Sequence, residues 1–169
     1  ANEITSQVSL KTSAELDSNY NAFLDEMDSF LSCLDGSASL LLMNRAMLVK
    51  LRSIARRAGY YERTRDDFGR VVETYAGIPM VDMGSYYNGA STQDVVETTG
   101  GKTAIYAVSL GLDGFHGISP VGDGVISSYM PDLTAPGAVK TGEVELVAGV
   151  ALKNTLKAAV LKDIAIAAE

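Results

Sequence analysis

Between Ser13 and Leu34 the apolar residues Leu16, Tyr20, Phe23, Leu24, Met27, Phe30, Leu31 and Leu34 recur mostly at intervals of three and four. That spacing draws one stripe along an amphipathic helix. Thr12 followed by Glu15 fits a capping box, which sets the start. Asp35-Gly36 supplies the stop, because glycine tolerates the left-handed conformation beyond a last turn. Glu15, Asp17, Asp25, Glu26 and Asp28 take the polar side. A helix this long in a chain of 169 residues is expected to serve as a spine along one edge.

A β-α unit follows. Leu40 to Met43 is continuously apolar and reads as a short buried strand. Asn44 is placed to cap a second helix, with Met47, Leu48, Leu51, Ile54, Ala55 and Ala58 as its apolar face and Gly59 as its end.

Beyond it, Phe68–Tyr75 and Gly77–Met83 are expected as strands meeting at Ala76-Gly77, with Pro79 demoting the second to an edge or irregular strand. Gly84–Gly101 reads as polar loop and Ala104–Leu110 as strand. Glycines 111, 114, 117, 122 and 124 mark tight turns. Val125–Met130 is expected as a short strand, Pro131–Gly142 as loop and Val144–Leu152 as strand. Leu156, Val160 and Ile164 predict a closing helix from Asn154 to about Ala165. The fold class is α+β with a mixed sheet. The organisation expected is 1–38 spine, 39–142 central domain, and 143–169 a closing strand and helix that return to the spine's module.

The residues offer little chemistry. Hydrophobic side chains make up 47% of the chain, which excludes global disorder. A net charge of −7 argues against a dedicated nucleic-acid binder. The single cysteine, Cys33, falls within the helical stripe and reads as a buried thiol, compatible with a reducing cytosol. Residues 1–12 lack the apolar core of a signal peptide, and no apolar run is long enough to span a bilayer, so a soluble, cytoplasmic protein is expected. Chain start at Ala1 rather than Met reads as a piece of a longer product.

His116 is the only histidine and sits in Gly114-Phe115-His116-Gly117-Ile118, where bonding to turn backbone is favoured over general-base work. With one Cys and one His, no common structural zinc set can be completed. Gly111, Gly114 and Gly117 lack the spacing of a phosphate loop and the lysine that would follow it. Gly122-Asp123-Gly124 has the spacing, but a strand-like run follows where a helix is required. The acidic groups Asp66-Asp67 and Asp25/Glu26/Asp28 read as solvated faces, not as a catalytic pair in a cleft. No catalytic, cofactor-binding or metal-binding residue is assigned.

Charge is unevenly placed. Arg45, Lys50, Arg52, Arg56, Arg57, Arg63 and Arg65 are half of the 14 Lys and Arg, on or just after the second helix, and Tyr60-Tyr61 mark its exit. This basic segment reads as a solvated helix face with some salt bridges, as a contact for nucleic acid, or, favoured beside an acidic first helix, as a contact for acidic patches on neighbouring subunits. Reversing Arg52 and Arg56 is then expected to impair assembly while sparing the isolated fold.

The order of segments resembles the major capsid proteins of tailed bacteriophages. Leu40-Leu41-Leu42-Met43-Asn44-Arg45 with the helix ending Ala55-Arg56-Arg57-Ala58-Gly59-Tyr60-Tyr61 is similar to the strand-to-helix start of their axial domain. Phe68-Gly69-Arg70 through Thr74-Tyr75-Ala76-Gly77-Ile78-Pro79-Met80 is similar to their strand pair, and Thr103–Val108 with Phe115-His116-Gly117-Ile118 to the next strand and its glycine-rich exit. Val144–Leu152 and the segment from Asn154 to Ile164 resemble the closing strand and helix, without the aromatic residues or the proline after Asn154 often found there.

The resemblance implies the Hong Kong phage capsid fold: a peripheral domain with a spine helix, a mixed-sheet axial domain, and self-assembly into an icosahedral shell enclosing DNA. It implies as partners copies of the chain itself and the scaffold, portal or protease proteins of a phage, assembly in the bacterial host cytoplasm, residence in the virion, and no membrane. The family's N-terminal arm and extended loop would precede the spine helix. Two other readings compete: an encapsulin-like nanocompartment shell, and a small α/β enzyme or ligand-binding domain with its site in the Gly111–Gly124 loops.

Overall fold

The computed structural model describes residues 2–59, 63–65 (backbone), 71–120, 125–131, 133–134 and 136–167. Tyr60-Tyr61, Asp66-Asp67, Phe68–Arg70 and Gly122-Asp123-Gly124, each given a part above, lie outside them. In chain order the elements are β1 (Glu3–Thr5), α1 (Ser13–Ser32), β2 (Leu40–Met43), α2 (Arg45–Ala58), β3 (Arg63–Arg65), β4 (Val71–Tyr75), β5 (Ile78–Asp82), β6 (Ser85–Tyr87) and β7 (Thr92–Asp94). There follow β8 (Lys102–Val108), β9 (Phe115–Ile118), β10 (Ile126–Tyr129), β11 (Glu143–Leu146), β12 (Gly149–Leu152) and β13 (Ala158–Ala165).

Helix α1 begins where the capping box places it. The Thr12 hydroxyl accepts from the Glu15 amide at 3.2 Å, and the Glu15 carboxylate accepts from the amides of Thr12 and Lys11 at 3.3 and 2.9 Å. Leu16, Phe23, Met27 and Phe30 form its buried stripe, and Gly36 takes φ +89° just past the end. This is a helix of the expected length, but its stripe lies in the common core, against α2 and β13. Helix α2 is capped by Asn44, whose side chain accepts from the Met47 amide at 2.9 Å, and is closed by Gly59 at φ +79°.

Seven strands form one mixed sheet in the order β1-β13-β8-β2-β5-β4-β3. The parallel pair β2–β5 is linked through α2, and the β4–β5 hairpin turns at Ala76-Gly77, both at positive φ as a two-residue turn of this hand requires. Strand β5 is interior, contrary to the expectation for Pro79. The reason is local: its register with β2 begins at Met80, so the missing proline N–H falls before the ladder starts.

Three further expectations are corrected, and one strand was not foreseen. Gly84–Gly101 holds a hairpin, β6–β7, in which every residue is exposed. Val144–Leu152 is two strands, β11 and β12, broken at Val147-Ala148. The polar start of the chain supplies β1, parallel to β13. The closing helix is absent: Asn154 caps a single 3₁₀ turn, Thr155–Lys157, and Ala158–Ala165 is a strand between β1 and β8.

The strand hid behind a bulge. Ala159 and Leu161 alternate inward, the register then shifts at Lys162-Asp163 with Asp163 at φ +60°, and Ile164 and Ile166 resume the buried phase. One extra residue turns a spacing of two into three, which a period search reads as helical.

One hydrophobic core takes residues from all three stretches named above, among them Phe23, Phe30, Leu41, Met47, Ile105 and Leu161. Both helices cover the same sheet face, the one carrying Leu41, Ile105, Ala107 and Leu161. The other face is apolar as well. Val81, Leu42, Tyr106 and Val160 stand in register across four strands, and Leu40, Val108 and Ala158 form a second row.

Candidate assembly surface

The residues singled out for possible chemistry are engaged in holding turns. His116 Nδ1 lies 3.2 Å from the Gly114 carbonyl oxygen, the backbone-bonded turn histidine expected. Gly114 is required by packing, since a Cβ there would be driven into the Ser109 carbonyl oxygen. Around it, Phe115 N donates to Ser109 O at 3.0 Å and Lys153 N to Gly114 O at 3.1 Å. The amides of Gly111, Gly114 and Phe115 all donate within this turn, so the N–H groups a phosphate cradle would need to present are taken. Cys33, expected to be buried in the helical stripe, is instead half-buried at the C-cap of α1, its thiol 3.5 Å from the Ser29 carbonyl oxygen. Among the described residues no three His, Cys, Asp or Glu gather as a metal site would need. Open grooves of about 380 and 300 Å³ flank Tyr106 on the uncovered sheet face, lined at their ends by Lys162 and Asn2.

The basic segment is largely used inside the chain. Arg52 Nε donates to both Glu73 oxygens, at 2.9 and 2.7 Å, joining α2 to β4. Arg57 pairs with Asp17 and donates to the Ser13 hydroxyl at 3.0 Å, so acidic α1 and basic α2 meet within one subunit. Lys50 Nζ donates to the carbonyls of Leu10 and Lys11 at 2.6 and 3.0 Å, and burial pulls its pKa down against the opposing charge of Glu15. Reversing Arg52 would therefore set a carboxylate against Glu73 and remove a contact made within the subunit itself. Arg45 and Arg56 remain at the surface.

The N-terminal segment is held by carboxylates. Glu26 accepts from the Ser6 hydroxyl at 2.6 Å and the Gln7 amide at 2.9 Å. Glu15 accepts from the Ser9 hydroxyl at 2.7 Å, and this bond, with those from the Thr12 and Lys11 amides, holds its carboxyl below the usual range. Glu3 and Lys162 pair across β1 and β13, lowering the one pKa and raising the other.

What distinguishes the molecule is a strand-rich lobe that buries no hydrophobic side chain among its described residues. Between Ala107 and Ala159 no described hydrophobic side chain is buried. The lobe consists of two two-stranded ladders, β10–β11 and β9–β12, neither joined to the main sheet. In the first, Ile126 faces Leu146 and Val144 lies on the same side, and these are 65, 66 and 71% exposed. Val150 on β12 is 68% exposed.

A two-stranded ladder alone is marginal in water. Contiguous apolar surface of this kind marks a place where another surface sits. The lobe is tied to the core at its base, where Ser109 N donates to Lys157 O at 2.8 Å and Lys157 Nζ to Asp35 O at 2.6 Å. Sequence reading named these residues as strands and turns but not as a surface, because alternation is weak where both faces are exposed. The usable signal was the string of apolar residues among turn glycines, with no helix to cover them.

No protein-family model and no curated protein matches the sequence. Six solved chains match its fold. One is the encapsulin in the cryo-EM structure of the holo-SrpI encapsulin complex from Synechococcus elongatus PCC 7942, at a TM-score of 0.67 and 18% sequence identity. The match covers 97% of this chain and 53% of the encapsulin chain, so this chain spans about half the length of its structural counterpart. The likeness is one of fold: two helices and a mixed sheet arranged as in an encapsulin shell protein.

Proposed function

We propose that this chain is part of a structural subunit that assembles with copies of itself into a closed shell, and that it works through extended contacts and not as an enzyme. The observation that carries the reading is the uncovered lobe. Ile126, Val144, Leu146 and Val150 are built into ordered strands yet remain at the surface, as expected for a subunit whose neighbours complete its burial. The likeness to an encapsulin fold supports the same reading from an independent side.

Two shells fit. The order of sequence motifs favours a tailed-phage capsid, resident in the virion, enclosing DNA and meeting scaffold, portal or protease proteins during assembly in the bacterial cytoplasm. In that reading α1 is the spine, β2 to β10 belong to the axial domain, and β11 to β13 return to the spine's module. The encapsulin likeness favours a nanocompartment around protein cargo. The contents of purified particles separate the two: DNA favours the capsid, a defined protein cargo the compartment. The shell reading itself is tested by Ile126→Ser with Leu146→Ser in the full-length subunit. Loss of particles with an unchanged circular dichroism spectrum is expected. Wild-type particle yield would remove the lobe from the contact.

A further inference from the structure

Two strand edges of this chain carry opposite charges at the same spacing. β3 ends the seven-stranded sheet, paired with β4 on one side, and reads Arg63-Thr64-Arg65. β11 is paired with β10 on one side and reads Glu143-Val144-Glu145 before Leu146. All of β11 is exposed, and the Glu143 and Glu145 carboxylates make no ion pair or hydrogen bond among the described residues. Among the described residues each edge therefore has no strand on its outer side, the usual template for strand addition.

We infer that copies of the chain join head to tail, β11 of one subunit adding to the β3 edge of the next. This rests on the shell reading and gives it a specific contact. Opposed residues in a ladder favour unlike charges and disfavour like ones. β3 against β3 would set arginine against arginine, and β11 against β11 glutamate against glutamate. Only the mixed pairing sets each carboxylate position opposite an arginine position, so the edges select a heterologous contact over a two-fold one. Heterologous contacts propagate, closing into rings where the rotation allows it and running on as filaments where it does not. Because both triplets are symmetric about their centres, Val144 falls opposite Thr64 whichever way the strands run.

The test uses the full-length subunit in a Cys33→Ser background. Thr64→Cys and Val144→Cys in one chain place thiols at opposed ladder positions, within disulfide reach. Mild oxidation should give a ladder of covalent oligomers on a non-reducing gel, with neither single-cysteine variant giving more than dimers. In parallel, Glu143→Arg with Glu145→Arg should lower particle yield at least tenfold, and adding Arg63→Glu with Arg65→Glu should restore it. Particles that form normally with the glutamates reversed, or a fourfold variant that folds but stays dissociated, would overturn the strand contact while leaving the shell reading in place. A wild-type subunit that never assembles would overturn both.

Discussion

Replacing Asn44 with alanine removes one side chain that joins three elements. Its Oδ1 accepts from the Met47 amide, while Nδ2 lies 3.0 Å from Val96 O and 2.9 Å from the hydroxyls of Thr98 and Thr103. The residue is fully buried, so no water stands ready to replace these bonds. Loss of an N-cap costs about 1 kcal/mol. Leaving a buried carbonyl such as Val96 O without its donor costs about 1–3 kcal/mol more. The Thr103 hydroxyl is spared in part, since it also donates to Glu97 O at 3.2 Å.

The expected total is about 3 kcal/mol, a large share of the roughly 5–15 kcal/mol that holds a domain folded. At about 2–4 °C per kcal/mol for a chain of this size, the melting temperature should fall by about 6–12 °C. Thermal unfolding followed by circular dichroism measures the shift, and urea unfolding the free energy. Asn44→Ser, which retains the cap but not the amide, should fall between the two. If Asn44→Ala costs no more than Asn44→Ser, the amide bonds to Val96, Thr98 and Thr103 contribute nothing, and the reasoning is wrong.

Two further predictions concern charge. A double-mutant cycle with Arg52→Met and Glu73→Gln should show a coupling of about 1 kcal/mol, modest because the Arg52 side chain is 42% exposed. Additive losses would mean that the pair does not act as a clamp between α2 and β4. For Glu15, the folded carboxyl titrates below its ordinary value of 4.5, so its contribution to stability is present above that pH and is lost as pH falls through the folded value. Glu15→Gln should thus be less stable than wild type at neutral pH and show a shallower loss of melting temperature between about pH 5 and 3. Parallel acid limbs in the two proteins would contradict this assignment.

The helices and the first β-α unit were legible because their signals are local. Thr12 and Glu15, Asn44, and Gly59 act within one turn of themselves, and each does what its residue type dictates. The sheet was harder to read, since a strand's place depends on partners far along the chain. Pro79 looked like an edge residue until its register with β2 put it ahead of the ladder. Leu156, Val160 and Ile164 mimicked a helix because intervals of four suit a helix face, whereas Leu156 lies in the 3₁₀ turn and the bulge at Asp163 puts Val160 and Ile164 on opposite faces of the strand. The basic segment was visible but its use was not: Arg57 and Asp17 are 40 residues apart, and nothing local says that they meet in one subunit. The lobe surface was the least legible, since exposure on both faces of a strand leaves no periodic trace.

The most direct test of the central claim is the molar mass of the freshly purified full-length protein, by light scattering across salt concentration with negative-stain microscopy of the same sample. Closed particles or rings of uniform diameter, at a mass many times that of the subunit, are predicted. A strictly monomeric protein under every condition would contradict the shell reading and leave the exposed ladders of the lobe without a partner.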